Sequence, residues 1–283
     1  MWGWRSEVVL PLLLGGSLFT FGWWRLSQRS HLGLPPWRLT LALCGFMTIA
    51  LALLSPLDRL AHLLFSAHMI QHMLLMMVAP PLLLLADPFP ILLWALPRPG
   101  RVLVSRLLVA GAPLRRVWRA MTWMPVAWFT SALALWLWHL PAAYNAALNF
   151  RLLHDVEHLA FFWGGILFWW PIVSPAPRLH GHVHHSLRIL YVVLAGGQQT
   201  LLGLLLSMSP KVLYPFYADA PRPWSLSPLD DQAWGGIIMW GTGGVIGIIT
   251  VMVLVFCLLS LEERPPFPAK TIDLKLGSER GRR

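Results

Sequence analysis

Long uninterrupted apolar runs constrain the fold of this 283-residue chain more than any other feature. An apolar stretch of about 18 residues is long enough to cross a bilayer as an α-helix. We count seven such stretches, at 8–24, 37–55, 60–79, 122–140, 154–174, 187–208 and 233–259. Only 12% of the residues are charged, about half the share of a soluble domain. The sequence therefore predicts an all-α integral membrane protein, a seven-transmembrane-helix bundle with one polytopic domain over 1–260. It excludes a soluble enzyme, a disordered protein and a secreted disulfide scaffold.

The segment 82–119 is apolar in part but is interrupted by prolines. Pro88, Pro90, Pro97 and Pro99 follow Pro80-Pro81, and a straight helix through six prolines is disfavoured. The stretch 102–112 mixes Val and Leu with arginine, which suits a helix lying in the membrane interface. We therefore predict that 82–119 is an interfacial excursion between the third and fourth spans.

The basic residues are distributed unequally between the two sides of the predicted bundle. With seven spans, 17 Lys and Arg residues fall on one side and 5 on the other, together all 22. Lys and Arg accumulate in cytoplasmic loops, which places the N-terminus outside and the C-terminus in the cytoplasm. The basic segment 261–283 then forms a cytoplasmic tail. Because no small-residue cleavage site follows the first run, we interpret 8–24 as a retained helix and not as a signal peptide.

The net charge and the cysteine content exclude further classes of protein. A net charge of +10 on such a chain reflects topology, so no nucleic-acid partner is predicted. Cys44 and Cys257 lie in separate apolar runs without a CxxC spacing, which argues against a thiolate metal site or a redox pair.

Histidines are concentrated in the predicted outer half of the bundle. Two His-x3-His pairs, His68/His72 on the third span and His154/His158 on the fifth, each place two imidazoles on adjacent turns of one helix face. His139 ends the fourth span on the same side. Two such pairs on different helices predict a metal site, in which Asp155 or Glu157 would orient an imidazole. A lone intramembrane histidine more often bonds a neighbouring helix, which is our interpretation of His62 and the alternative to a ligand role for His139.

Thioethers share the face of the third span that carries the imidazoles. At about 100° per residue and with His68 at zero, His72, Met76 and Met69 fall near about 40°, 80° and 100°. Gln71 falls outside this sector, near about 300°. Imidazole with thioether is a soft ligand set that favours copper, especially Cu(I). Asp231 precedes the last helix, where it either caps that helix or borders the same site. The predicted metal ligands are His68, Met69, His72, Met76, His139, His154, His158 and Asp231.

Several separated motifs occur together in this order. They are Ser66-Ala-His-Met-Ile-Gln-His-Met before Pro80-Pro81, Trp138-His139-Leu-Pro141 with Tyr144, His154-x2-Glu157-His158, Phe168-Trp-Trp-Pro171, Leu213-Tyr-Pro-Phe-Tyr217 and Asp231-Gln-x2-Gly235-Gly-x2-Met239-Trp240. Over about 40–260 the chain resembles the multi-pass CtaG-type cytochrome c oxidase assembly factors. It does not resemble the single-span copper chaperones that share this name and bind copper through cysteines.

The resemblance implies a multi-pass protein of the bacterial inner (plasma) membrane that is not an enzyme. Its partners would be cytochrome c oxidase subunits, above all the copper-bearing subunit, which it would help to mature. The resemblance also implies that seven positions are functional: His68, Met69, His72, His139, His154, His158 and Asp231. A homodimer is one possible assembly.

Three other classes stay open. Histidines on different helices also suit a b-type haem in an electron-transfer protein. A di-metal oxygenase would need its histidine clusters on one side, whereas the His180–His185 loop is predicted inside and the two pairs outside. A copper transporter would need a polar path, for which only Gln198 and Gln199 are available in mid-membrane.

Overall fold

A computed structural model describes residues 5–29, 33–109, 111–181, 183–221 and 225–262. These residues contain no strand. The α-helices, in chain order, are α1 Ser6–Ser27, α2 Pro36–Leu54, α3 Pro56–Ala61, α4 Phe65–Met73, α5 Ala79–Leu85, α6 Pro88–Ala95, α7 Arg98–Leu107, α8 Pro113–Met121, α9 Met124–Trp138, α10 Pro141–Asn149, α11 Arg151–Val173, α12 His185–Ser207 and α13 Pro228–Glu262. The predicted tail, from residue 263 onward, lies outside the described residues.

The number of helices able to cross a membrane is six or seven. Within the described ranges, six are long and apolar enough: α1, α2, α4 with α5, α11, α12 and α13. The predicted fourth span corresponds to α9, which has 15 residues. It reaches spanning length only together with α8, to which it is joined at a bend of 66°. The all-helical membrane class is confirmed, and the seventh span depends on this bent pair.

The third span begins and ends later than the sequence predicted. It runs as Phe65–Leu85, because a break at 62–64 separates α3 from α4 and because the helix continues through two prolines. Proline at position 80 removes the bond to the Met76 carbonyl four residues earlier. The turn Leu74–Val78 is a π-helix, and the Trp169 indole N–H of α11 donates to the Met76 oxygen at 3.2 Å. A neighbouring helix thus satisfies the carbonyl that proline leaves free.

Prolines otherwise mark where helices begin. They occupy the first position of α2, α3, α6, α8, α10 and α13, where the missing N–H breaks no helical bond. The described residues of 86–121 form the short helices α6, α7 and α8. Helix α6 packs on α1, whereas α7 and α8 have no buried residue. Their position in the interface stays a prediction.

The α4–α5 segment and α11 form the centre of the bundle. Gly165 of α11 allows their close approach, since a Cβ at this position would lie 2.6 Å from the Met76 oxygen. Helices α2 and α13 also pack on the α4–α5 segment, α9 packs on α11, and α12 packs on α13. The two central helical segments therefore carry one His-x3-His pair each.

The bundle has two chemically distinct ends. At the first, here called the histidine end, Arg5 forms ion pairs with Asp155 at the start of α11 and Asp58 of α3. At the second, here called the arginine end, Asp87 accepts from the Ala176 N–H at 2.9 Å and from Arg38 at 3.4 Å. Which end faces the cytoplasm stays a prediction.

Both mid-membrane glutamines form interhelical hydrogen bonds. Gln198 Oε1 accepts from the Trp136 indole at 2.6 Å, and Gln199 Nε2 donates to the Met239 carbonyl at 3.0 Å. Since both amides join neighbouring helices, they give little support to a polar path for a transporter.

Candidate metal centre

The two His-x3-His pairs face each other inside the bundle. The ring centroids lie 4.3 Å apart for His68 and His72 on α4, and 4.2 Å apart for His154 and His158 on α11. Across the two helices, the Nε2 atoms of His68 and His154 are 3.4 Å apart. All four residues are buried. The structure thus brings together four of the predicted ligands, whose binding of a metal stays a prediction.

His139 contributes a fifth imidazole from the end of α9. Its ring centroid lies 6.1 Å from that of His72, and its Nδ1 lies 2.7 Å from the Leu135 carbonyl. Because a carbonyl only accepts, Nδ1 carries the proton and Nε2 presents a lone pair. This Nε2 is buried and lacks a hydrogen-bond partner among the described residues. His139 is therefore oriented as an acceptor or metal ligand.

Glu157 lies among the imidazoles. Its carboxylate oxygens are 3.9 Å from His68 Nε2 and 3.8 Å from His72 Nε2, and the side chain has no solvent exposure. Sequence reasoning gave it only an orienting role. Its i+3 spacing from His154 was the signal that it shares the face of the ligands. Asp155 points elsewhere, toward Arg5.

Two tyrosines fix the orientation of His68. Its Nδ1 lies 2.7 Å from the Tyr144 hydroxyl and 2.9 Å from the Tyr217 hydroxyl. Tyr217 donates its proton to the Ala61 carbonyl at 2.8 Å, which leaves its oxygen to accept from Nδ1–H. Burial raises the pKa of Tyr217 well above its ordinary value, so the phenol stays protonated. This arrangement leaves His68 Nε2 as the lone pair directed at His154.

Both tyrosines lie in motifs identified in the sequence, but no role at the metal site was predicted for them. Tyr217 lies in the 3₁₀ turn Pro215–Tyr217, 149 positions from its partner His68. No local spacing joins such distant residues. The available signal was an aromatic cluster, Leu213-Tyr-Pro-Phe-Tyr217, between two spans.

The cluster has more acceptors than protein donors. Among the described residues, both ring nitrogens of His72 and His158 and both oxygens of Glu157 are buried without a hydrogen-bond partner. Buried polar atoms are almost always paired, and an unpaired buried carboxylate is especially unfavourable. A bound cation would satisfy the lone pairs of the group of ligands that surrounds it. Two nitrogens on one tetrahedral ion at about 2.0 Å would be about 3.3 Å apart, close to the 3.4 Å between His68 and His154.

Two overlapping groups of three ligand atoms fit a metal ion within the described residues. One is His68, His154 and His158, and the other is His68, His72 and Glu157, with the atoms of each group within 4.8 Å of one another. His68 belongs to both groups through its Nε2. A single imidazole lone pair binds one ion, so the two groups are alternative positions for the same ion. We call them the outer triad, which contains His154, and the inner triad, which contains Glu157.

The remaining predicted ligands lie beside these triads. Met69 packs toward α13, where a Cβ added at Gly235 would lie 3.2 Å from its Cγ. Met76 is buried at the π-turn of the central segment. Asp231 accepts from the Phe65 N–H at 2.7 Å and from the Ser66 N–H and hydroxyl at 3.1 and 2.5 Å. It therefore caps α4, not its own helix. Coordination by Met69, Met76 or Asp231 stays a prediction.

His62 connects the cluster with the surface. It lies in the break between α3 and α4, is exposed, and its ring centroid is 5.3 Å from that of His154. It also lines a surface cavity of about 670 Å³ together with Asn145, Asn149 and Asp219. His62 thus contacts a neighbouring helix, as predicted, and the residue that it contacts there is the candidate ligand His154.

The histidine-rich loop lies at the other end. His180 Nε2 is 3.0 Å from the Thr122 hydroxyl, at the arginine end, where Arg115 donates to the Arg178 carbonyl at 3.2 Å. His182 lies outside the described residues. The separation of this loop from the triads disfavours a di-metal oxygenase built from all the clusters.

Taken together, these helices and the buried His/Glu cluster define a polytopic α-helical membrane protein with a candidate metal site near one end. Residues 17–260 match the family described as cytochrome c oxidase caa3 assembly factor, Caa3_CtaG. The chain belongs to this family, as the resemblance of its motifs predicted.

Three mycobacterial proteins, each named only as uncharacterized, are similar to this chain. Those of Mycobacterium bovis and Mycobacterium tuberculosis are 27% identical over 207 residues, which is 68% of this chain and 29% of each relative. That of Mycobacterium leprae is 24% identical over 269 residues, which is 90% of this chain and 39% of the relative. The chain thus spans well under half the length of these relatives. No solved structure matches it.

Proposed function

We propose that this protein holds one copper ion in the His/Glu cluster and passes it to a copper-bearing subunit of cytochrome c oxidase during assembly. The observation that carries the proposal is the set of buried, unpartnered imidazole and carboxylate atoms, which form two groups of three that could each hold a cation. Membership of the assembly-factor family supports the oxidase as the partner. The protein would act without catalytic turnover.

Copper is compatible with the ligands that the cluster offers. Imidazole binds Cu(I) and Cu(II) as well as zinc, iron and nickel, so the donor set alone does not select the metal. The family's oxidase partner favours copper. The two triads that share His68 suit handover, because an ion can exchange ligands between them without leaving the protein. Neutral imidazoles also hold Cu(I) without the charge of a thiolate pair.

A b-type haem fits this geometry less well. The rings of His72 and His158 lie 4.3 Å and 4.2 Å from those of His68 and His154, the two candidate axial ligands. A macrocycle between the axial pair would have to displace these rings. The packed cluster is better suited to a single ion.

Elemental analysis and the visible spectrum of the purified protein together test the proposal. We expect close to one copper ion per chain and no Soret band. A reducible Soret band would establish the haem alternative. Stoichiometric zinc or iron, or no metal after loading with Cu(I), would reject copper as the cargo.

The unequal distribution of basic residues supports a location in the bacterial inner membrane with the histidine end outside. Arg25, Arg38, Arg101, Arg115, Arg178 and Arg188 all lie near the arginine end through their contacts. Basic residues collect on the cytoplasmic side. The candidate site then opens toward the compartment into which the oxidase's outer-facing subunit projects.

His62 would provide the route by which the ion reaches the outer triad. It is the exposed imidazole in contact with His154, and the cavity that it lines also carries the carboxylate of Asp219. An incoming ion can bind there first and then move to His154. Replacement of His62 should slow exchange without altering the ligands of the buried position.

We expect His62→Ala to lower the rate of copper loss to a membrane-impermeant chelator about tenfold, in the range reported for auxiliary metal-site residues. The copper content at equilibrium should stay unchanged. The rate is measured in right-side-out and inside-out vesicles, with His184→Ala at the arginine end as the matched control. Copper loss that occurs only in inside-out vesicles would show that the histidine end faces the cytoplasm, opposite to the proposed orientation. A wild-type rate in the His62 variant would exclude this route while leaving copper binding intact.

A further inference from the structure

A large cleft opens at the arginine end, away from the histidine cluster. Its volume is about 1340 Å³, above the usual range of about 300–1,000 Å³ for small-molecule pockets. The walls come from α9, the end of α11, the following link and the first turns of α12. The cleft thus has room for a molecule larger than an ordinary small ligand.

The polar part of the cleft is cationic. Arg178 and Arg188 lie in its wall, and none of the described residues that line it is Asp or Glu. The Arg188 guanidinium donates to the Ile172 carbonyl at 3.2 Å and to the Ser174 hydroxyl at 3.1 Å, both neutral acceptors. Burial and the nearby Arg119 lower the pKa of His180 below its ordinary value. His180 is therefore neutral at pH 7, and the positive charge of the cleft comes from the arginines.

Two buried donors in the lining lack an acceptor. Arg188 Nε and Trp128 Nε1 have no hydrogen-bond partner among the described residues. One comes from α12 and the other from α9, and both residues line the cleft. Buried N–H groups without a partner are uncommon, so these two indicate a ligand that presents oxygen acceptors between the helices.

The apolar part of the cleft is continuous with the outer surface of the helices. Phe129 of α9 is 68% exposed, and Leu190 and Leu194 of α12 are more than half exposed. Trp123, at the start of α9, also lines the cleft and is exposed. Tryptophan is enriched at membrane interfaces. An occupant would thus have apolar chains that run along these side chains and a polar head at the arginines.

We infer that this cleft binds an anionic phospholipid, with its phosphate at Arg178 and Arg188 and its acyl chains along α9 and α12. Basic pockets between membrane helices on the cytoplasmic side recognise anionic lipid headgroups. The phosphate and ester oxygens would accept from Arg188 Nε and Trp128 Nε1. This site is separate from the metal cluster and from copper binding, and only its cytoplasmic position rests on the orientation proposed above.

Native mass spectrometry of the full chain tests this inference. The delipidated protein is titrated with phosphatidylglycerol or with phosphatidylcholine. We expect retention of phosphatidylglycerol and about tenfold weaker binding in Arg188→Gln, as expected for loss of a charge-assisted hydrogen bond. Arg178→Gln, which changes an exposed side chain, should weaken binding without disturbing the fold. Arg106→Gln, on the exposed face of α7, is the matched control.

Two kinds of result would contradict the binding of an anionic phospholipid. Equal retention of the two lipids, or equal binding by the Arg178, Arg188 and Arg106 variants, would overturn the inference. Inorganic phosphate is tested in parallel. If phosphate alone displaces the bound lipid and binds with similar affinity, the cleft is an anion site and not a phospholipid site.

Discussion

Replacement of His72 and His158 by leucine is expected to abolish metal binding while leaving the fold intact. The double substitution His72→Leu/His158→Leu removes one member from each triad. Loss of a direct ligand should weaken binding by more than the 10- to 100-fold typical of supporting residues. The measurement is the metal content of purified protein after loading with Cu(I) and removal of free ion.

These two histidines are favourable test positions because their ring nitrogens have no hydrogen-bond partner among the described residues. Leucine is apolar, so the substitutions remove unpaired polar atoms from the interior. Such a change is close to neutral or stabilising in the absence of metal. We therefore expect the metal-free variant to have a thermal midpoint at least equal to that of metal-free wild type. His68 would be a poorer choice, since it bonds Tyr144 and Tyr217.

The matched control is Met69→Leu/Met76→Leu, which replaces the two predicted thioether ligands among the four methionines of the same central segment. If imidazole and carboxylate hold the ion, this variant keeps its full metal content. If the thioether variant loses the metal and the imidazole variant keeps it, the site is the soft methionine site that the sequence also allowed. Loss in both would indicate a mixed ligand set.

The part of the site that follows from helical periodicity could be predicted from the sequence. His-x3-His spacing places His68 with His72, and His154 with His158, on one face of each helix. The same rule placed Gln71 on another face, and its amide donates to the Ala52 carbonyl at 2.7 Å. Apolar length also identified the spans, although it could not show that α9 is short. These features depend on the local chain alone.

Other parts depend on the packing of distant segments. The helical wheel of the third span assumed one helix from residue 60, whereas the break at 62–64 directs His62 toward His154. The π-turn before Pro80 needs the Trp169 indole as a partner. Tyr217 reaches His68 from a link between two spans. No periodic pattern in one sequence contains such contacts, because each requires the relative position of two helices.

The contacts of Asp231 also depend on the packing of distant segments. Its place before the predicted last span, 233–259, suggested a cap of its own helix or a metal ligand. It instead bonds the first turn of α4, where the N-cap residue Leu64 provides no side-chain acceptor. The free N–H groups of a helix start need an acceptor, and a carboxylate also complements the helix dipole. Asp231 therefore joins α13 to the helix that carries His68 and His72.

We expect Asp231→Ala to lower the free energy of unfolding by about 3 kcal/mol. The substitution leaves two backbone N–H groups and the Ser66 hydroxyl without their acceptor, and each buried unpaired group is unfavourable by about 1–3 kcal/mol. The effect should exceed that of an ordinary cap because the carboxylate is fully buried. Thermal unfolding in detergent, followed by tryptophan fluorescence, should show a fall in the midpoint on the order of 5–10 °C.

Asp230→Ala is the matched control, because this neighbouring carboxylate is exposed and accepts from Ser227 at 2.6 Å. It should change the midpoint by a small fraction of the effect at Asp231. Asp231→Asn separates the two roles of the carboxylate, since the amide oxygen still accepts one bond but the charge is lost. As a cap, the Asn variant has intermediate stability and full metal content in its folded fraction. If the Asn variant instead has an unchanged midpoint and a reduced metal content, Asp231 is a metal ligand. In that case α13 is joined to the metal centre by the ion itself.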